Sequence, residues 1–109
     1  MAPKNFLGEF EQMVLLAILQ CGDDANGYEI RRELEASAGR LVSKGAFYTT
    51  LDRLERKGHL RWTARVPDTS AGSLPQRHFE VTSQGVAELQ KSRSALLRLW
   101  RNLDGVLGA

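Results

Sequence analysis

Two short capped helical segments joined by a few residues, a switch of apolar period after Gly58, and leucines seven residues apart near the C-terminus predict an α+β, mostly α fold. Its architecture is a winged helix-turn-helix with a C-terminal dimerisation helix. At 109 residues, 42% apolar and 26% charged, the chain suits one compact domain and not two independent cores. Within it residues 1–82 are expected to form the winged helix-turn-helix region and 83–109 the C-terminal helix.

The first helix is expected over residues 7–20, with Leu7, Phe10, Met13, Val14, Ala17 and Ile18 apolar, and Leu15, Leu16 and Leu19 as well. That is wider than a single stripe, so the helix should be covered on two sides, by its own domain and by a second subunit. The stretch CGDDANG breaks it. A second helix over residues 27–38 takes Asn26 or Asp24 as cap, turns Ile30 and Leu34 inward, and stops at Gly39.

Arg40, Leu41 and Val42 lead into the third helix, which Ser43 can cap through its hydroxyl. Phe47, Leu51 and Leu54 share its inward face and Gly58 closes it. Gly45, Ala46, Thr49, Asp52, Arg53 and Arg56 fall opposite, with Lys44, Tyr48 and Thr50 at the flanks. Small residues in the outward first turn let the helix press close to another surface.

After Gly58, Leu60, Trp62, Ala64 and Val66 alternate with Arg61, Thr63 and Arg65, the pattern of a half-buried strand. PDTSAGSLP reads as a turn or loop, and residues 76–81 return as a second strand with Arg77, Phe79 and Val81 on one side. The hairpin is a wing. Thr82 can cap a last helix reaching about Leu107, with Leu89, Leu96 and Leu103 in one series and Val86, Trp100 and Leu107 in another, which Arg93 interrupts. This short heptad seam predicts a homodimer.

Several functions are disfavoured. No apolar run approaches the ~20 residues that span a bilayer, and the N-terminus lacks a basic segment followed by a long apolar one, so no membrane partner and a cytoplasmic location are expected. A single cysteine and two histidines far apart in sequence argue against a disulfide or a metal site. With no phosphate-binding glycine loop and no nucleophile and base arrangement, neither an enzyme nor a cofactor is expected.

Charge is more telling by position than in total. The net charge is only +2, yet residues 1–42 carry four Lys/Arg against seven Asp/Glu, while residues 43–78 carry seven against three. A positive middle fits a polyanion. The capped third helix suits the major groove of DNA, where Thr and Lys reach base edges while Arg and Tyr hold phosphates. The competing reading is a winged-helix module that binds another protein and no DNA.

GYEIRREL over 27–34, VSKGAFYTTLDRLERKGHL over 42–60 and RHFEVTSQG over 77–85 together resemble the PadR family of winged-helix transcriptional regulators, in its short form with one C-terminal helix. The resemblance implies a homodimeric repressor that binds a pseudo-palindromic operator and is released by a small ligand. Carried over by position, Ser43, Lys44, Ala46, Tyr48, Thr49, Thr50 and Arg53 would form the recognition face. Tyr28 would lie near the DNA backbone, and Arg77 would serve the wing. The alternatives are packing roles for Tyr48 and Tyr28, and a carboxylate partner such as Glu29 or Glu33 for Arg53.

The hairpin departs from the family's G-R-P-R-K-Y-Y: here it reads GSLPQRHF, with Leu74 and Gln76 where basic residues are common, so the wing should add less to phosphate binding. By the same resemblance, Trp100 is a candidate for stacking on a planar, aromatic or cationic effector, its alternative being a seam residue. Cys21 has Asp23 and Asp24 nearby and no adjacent cation, which favours an inert filler over a redox sensor.

Overall fold

A computed structural model describes residues 6–66 and 74–108. Its core is assembled from three helices that each contribute one stripe: Val14 and Leu15 from the first, Ile30 from the second, and Phe47, Leu51 and Leu54 from the third are all fully buried. Burying each such side chain contributes about 1.5–3 kcal/mol, so these stripes fix how the helices sit against one another.

Helix α1 spans Glu9–Cys21, starting two residues later than the apolar pattern indicates because Gly8 is its cap; Leu7 is buried just ahead of it. A 3-10 turn, Gly22–Asp24, follows. Helix α2, Gly27–Ala38, begins where Asn26 Oδ1 accepts the Glu29 N–H at 3.0 Å and ends at Gly39, whose φ of 61° is left-handed. Helix α3, Lys44–Arg56, is capped by Ser43, whose Oγ accepts the Ala46 N–H at 3.2 Å.

Strands β1, Leu60–Arg65, and β2, Gln76–Val81, pair antiparallel with Leu60 opposite Val81 and Trp62 opposite Phe79. The sequence gives no sign of a further backbone bridge between Asn26 and His78, where the Phe79 N–H donates to the Ala25 carbonyl at 2.9 Å. It ties the start of α2 to the wing. Of the expected loop over residues 67–75, residues 67–73 lie outside the described residues.

The expected half-buried β1 is corrected. Only Leu60 is buried, while Trp62, Ala64 and Val66 are exposed to differing degrees. The alternation is present, but a two-stranded hairpin leaving the core has helices beneath its base alone.

Helix α4 runs Ser83–Trp100. Thr82 starts it twice over, its Oγ1 accepting the Gly85 N–H at 3.1 Å and donating to the Gly58 carbonyl at 2.6 Å. Gly85 packs so close to the third helix's exit that an added Cβ would collide with the His59 carbonyl oxygen. The sequence-based expectation of one helix to Leu107 is also corrected: α4 ends at Trp100, Asn102 takes a left-handed φ of 61°, and a separate turn, α5, covers Asp104–Leu107. Leu103 and Leu107 therefore do not extend the heptad series along one rod. The fold is a winged helix-turn-helix followed by a C-terminal helix, α+β and mostly α.

Candidate nucleic-acid interface

The first turns of α3 present an open face. Ser43, Lys44, Gly45, Ala46 and Thr49 are all exposed, on a helix whose opposite side carries the buried Phe47, Leu51 and Leu54. A rigid helix with small and polar residues on its open face can approach another surface closely without leaving buried polar groups unpaired.

Two residues expected on that face have other partners. Thr50 is only 4% exposed, and its hydroxyl donates to the Ala46 carbonyl at 2.9 Å. Lying three residues from Phe47 and four from Leu54, it belongs to the inward side, which corrects its expected place on the recognition face. Arg53 is half-buried, and its Nε donates to Glu11 Oε2 at 3.1 Å. A carboxylate partner was anticipated for Arg53, but from α2; the observed one comes from α1.

Glu11 was not anticipated at all. It is 7% exposed, and its carboxylate accepts from the Gly8 N–H at 2.9 Å, the Arg53 guanidinium at 3.1 Å and the Lys57 ammonium at 2.9 Å. Burial by itself pushes the Glu11 carboxyl up, but the Gly8 N–H and the two cations together outweigh burial and hold it at about 2. The group is a clamp between the start of α1 and the end of α3. A glutamate at the third helical position is visible in sequence as a capping signal; partners more than 40 residues away are not.

Where α2 and α3 begin and β2 passes, a cleft of about 420 Å³ is lined by Tyr28, Arg31, Lys44, Tyr48, Gln76 and Arg77 among others. The Arg31 and Lys44 cations and two phenols face one concavity beside the first N–H groups of α2, while Arg77, which also lines it, has its guanidinium over aromatic rings. That is a setting for an anion such as a backbone phosphate. Tyr28 is 68% exposed, which removes its core alternative. Arg31 escaped the sequence reading as a site residue, although it stands one turn from Tyr28; it also donates to the Val42 carbonyl at 3.3 Å, bracing the turn between the two helices.

Tyr48 is both packed and at the site. Its ring meets Phe47 edge-on, centroids 5.1 Å apart, and its hydroxyl rests over Gly27, where no Cβ would fit. Arg77 sits over the Tyr48, Trp62 and Phe79 rings at 5.2, 5.2 and 5.5 Å, with Asp52 Oδ1 4.0 Å from its guanidinium.

Separate from this cleft, α1 and α4 leave an apolar groove of about 510 Å³, lined among others by Leu16, Leu19, Val86, Leu96, Leu97 and Trp100. Trp100 is 56% exposed and Leu96 is exposed on the same side. Leu89 is only 8% exposed and belongs to the protomer's own core, so it floors the groove and is not an open seam position.

Cys21 is half-buried, and burial first, then the Glu33, Glu29 and Asp24 carboxylates, push its thiol up, which disfavours the reactive thiolate. Among the described residues no helix is long and apolar enough to cross a membrane, and no group of three or more His, Cys, Asp or Glu is placed to hold a metal ion.

Solved structures share this fold. A PadR-like transcriptional regulator of Bacillus cereus is 20% identical, with 92% of each chain covered and a TM-score of 0.70. A PadR family transcription regulator of Clostridium difficile is also 20% identical, covering 91% of this chain and 99% of the other, with a TM-score of 0.70. A PadR family regulator of Eggerthella lenta is 23% identical over 93% and 88% of the two chains, with a TM-score of 0.65. No curated protein matches the sequence. Residues 15–91, from the middle of α1 into α4, match the transcriptional regulator PadR-like family, and the chain belongs to that family of DNA-binding regulators, which are not enzymes.

Proposed function

We propose that the chain is a sequence-specific operator-binding regulator, acting as a homodimeric repressor that a small planar, aromatic or cationic effector releases. The observation that carries this reading is the open, small-residue face of α3 beside a cleft that Arg31 and Lys44 line. Lys44 and Thr49 reach base edges in the major groove, Ser43 and Ala46 permit close approach, and Tyr28, Tyr48 and Arg31 hold the flanking backbone.

The dimer rests on the groove between α1 and α4. Leu16 and Leu19 are about half exposed on a helix whose Val14, Leu15, Ala17 and Ile18 are buried in the core, and they share the groove with Leu96, Leu97 and Trp100. A second copy laid along this strip covers both helices at once, toward the ~1,200–2,000 Å² that a stable interface buries. Two-fold pairing then sets two α3 helices into successive major grooves, about 34 Å apart. An effector at Trp100 acts by favouring one spacing of these helices over another, since equal affinity for both would shift nothing.

Selection of bound sequences from random duplexes tests the reading. Two half-sites about one helical turn apart are expected, with affinity falling in salt by a log-log slope of about −0.9 for each phosphate neutralised. A protein that selects no sequence, or whose binding ignores salt, is instead a protein-binding module. Sedimentation showing a single subunit at micromolar concentration would remove the dimer.

A further inference from the structure

Arg77 is unlike a phosphate-binding arginine on an open wing. Its side chain is 37% exposed, and its guanidinium lies over three rings from three elements: Tyr48 of α3, Trp62 of β1 and Phe79 of β2. Among the described residues, the opposite charge paired with it is Asp52, also on α3, at 4.0 Å. Phe79 is fully buried, so the base of this stack is anchored in the core. Tyr48 is fixed on its other sides by Phe47 and by the missing side chain of Gly27. The guanidinium thus bridges wing and recognition helix above the core they share.

We propose that Arg77 is a positioning residue for operator recognition. By stacking on Tyr48 and Trp62 it sets the angle between the wing and α3, and its charge stays within the protein. The proposal rests on the DNA-binding reading above. The chemistry is specific to arginine, because a flat, weakly hydrated guanidinium stacks on ring faces whereas a lysine ammonium is a hydrated point charge.

The experiment measures binding of the full chain to its selected operator and to random duplex across a salt series, for Arg77→Lys, Arg77→Met and Trp62→Leu. All three variants should lose operator affinity by about tenfold, since each breaks the stack, while affinity for random duplex and the salt slope stay at the wild-type values. Arg77→Met added to Tyr48→Leu should cost much less than it does alone, because the ring it positions is gone. In the free protein the Arg77 δ-methylene protons should resonate upfield, shielded by the rings, and move part of the way back in Trp62→Leu, where the Tyr48 and Phe79 rings remain.

A phosphate contact gives the opposite pattern. Arg77→Lys would bind like the wild type, Arg77→Met would lower the salt slope by about 0.9, and Trp62→Leu would leave binding unchanged; any of these overturns the proposal. A wild-type chain that selects no operator fails at the DNA reading itself and takes the proposal with it, so the two failures are told apart by the wild type alone.

Discussion

Replacing Glu11 by glutamine keeps the shape of the side chain and removes its charge, and the size of the effect can be worked from the clamp. The folded carboxyl sits at about 2 against an ordinary 4.5. At ~1.4 kcal/mol per pH unit that gap is worth roughly 3 kcal/mol. The Arg53 and Lys57 side chains that help hold it are 43% and 45% exposed. Solvent screening on their side therefore reduces the expected value to about 2 kcal/mol. Because the folded value is depressed, this stability is fully present above about pH 4.5 and is lost as pH falls through about 2. Urea denaturation at fixed protein concentration should show E11Q less stable than the wild type by about 2 kcal/mol at pH 7, with the difference shrinking steadily on acidification below about pH 4.5. Equal stability at pH 7, or a deficit of the same size at pH 7 and pH 3, would refute the ion-pair account and leave Glu11 as a plain cap.

Gly85→Ala should cost about 2–3 kcal/mol in a thermal or urea melt, because the new methyl falls on the His59 carbonyl and on Val81. Lys44→Ala should weaken operator binding by about 1–3 kcal/mol and relax selection at one position if the amine reads a base; equal weakening on every sequence would assign it to a phosphate. Thr50→Val, by contrast, should leave operator selection as in the wild type, since its hydroxyl bonds only within α3. Trp100→Ala should weaken self-association by about 2 kcal/mol or more, read by sedimentation across a concentration series.

The parts of this fold legible in sequence are those fixed by local rules. Asn26, Gly39, Ser43 and Thr82 mark helix ends through side-chain oxygens or a left-handed glycine, and each does so in the structure. The inward stripe of α3 follows from spacing alone. Thr50 was legible too: its position beside Leu54 on the helix places it inward, and only the positional carry-over from the family pattern turned it toward DNA. The end of α4 was masked by the leucine spacing, which continues past Trp100 although Asn102 readily takes the left-handed turn that stops the helix. What no local rule could reveal were contacts across the chain. Glu11 finds Arg53 and Lys57, and Arg77 finds Tyr48, only once the packing is set.

Those distant contacts put α1 in a central mechanical position. Its first turn is clamped to the last turn of α3 by Glu11, while Leu16 and Leu19, further along, stand in the groove where a second copy is proposed to sit. Between them Val14, Leu15 and Ile18 are buried against the rest of the domain, so little give is available along the helix. In the proposed dimer, a change in how the two subunits meet at the groove would be carried to the recognition helices as rotation of whole domains, not as bending within one. The proposed effector needs no contact with α3 under this arrangement. It requires only different affinities for two subunit geometries, and loosening the clamp with E11Q should blunt its effect on operator binding while leaving its affinity for the DNA-free protein unchanged.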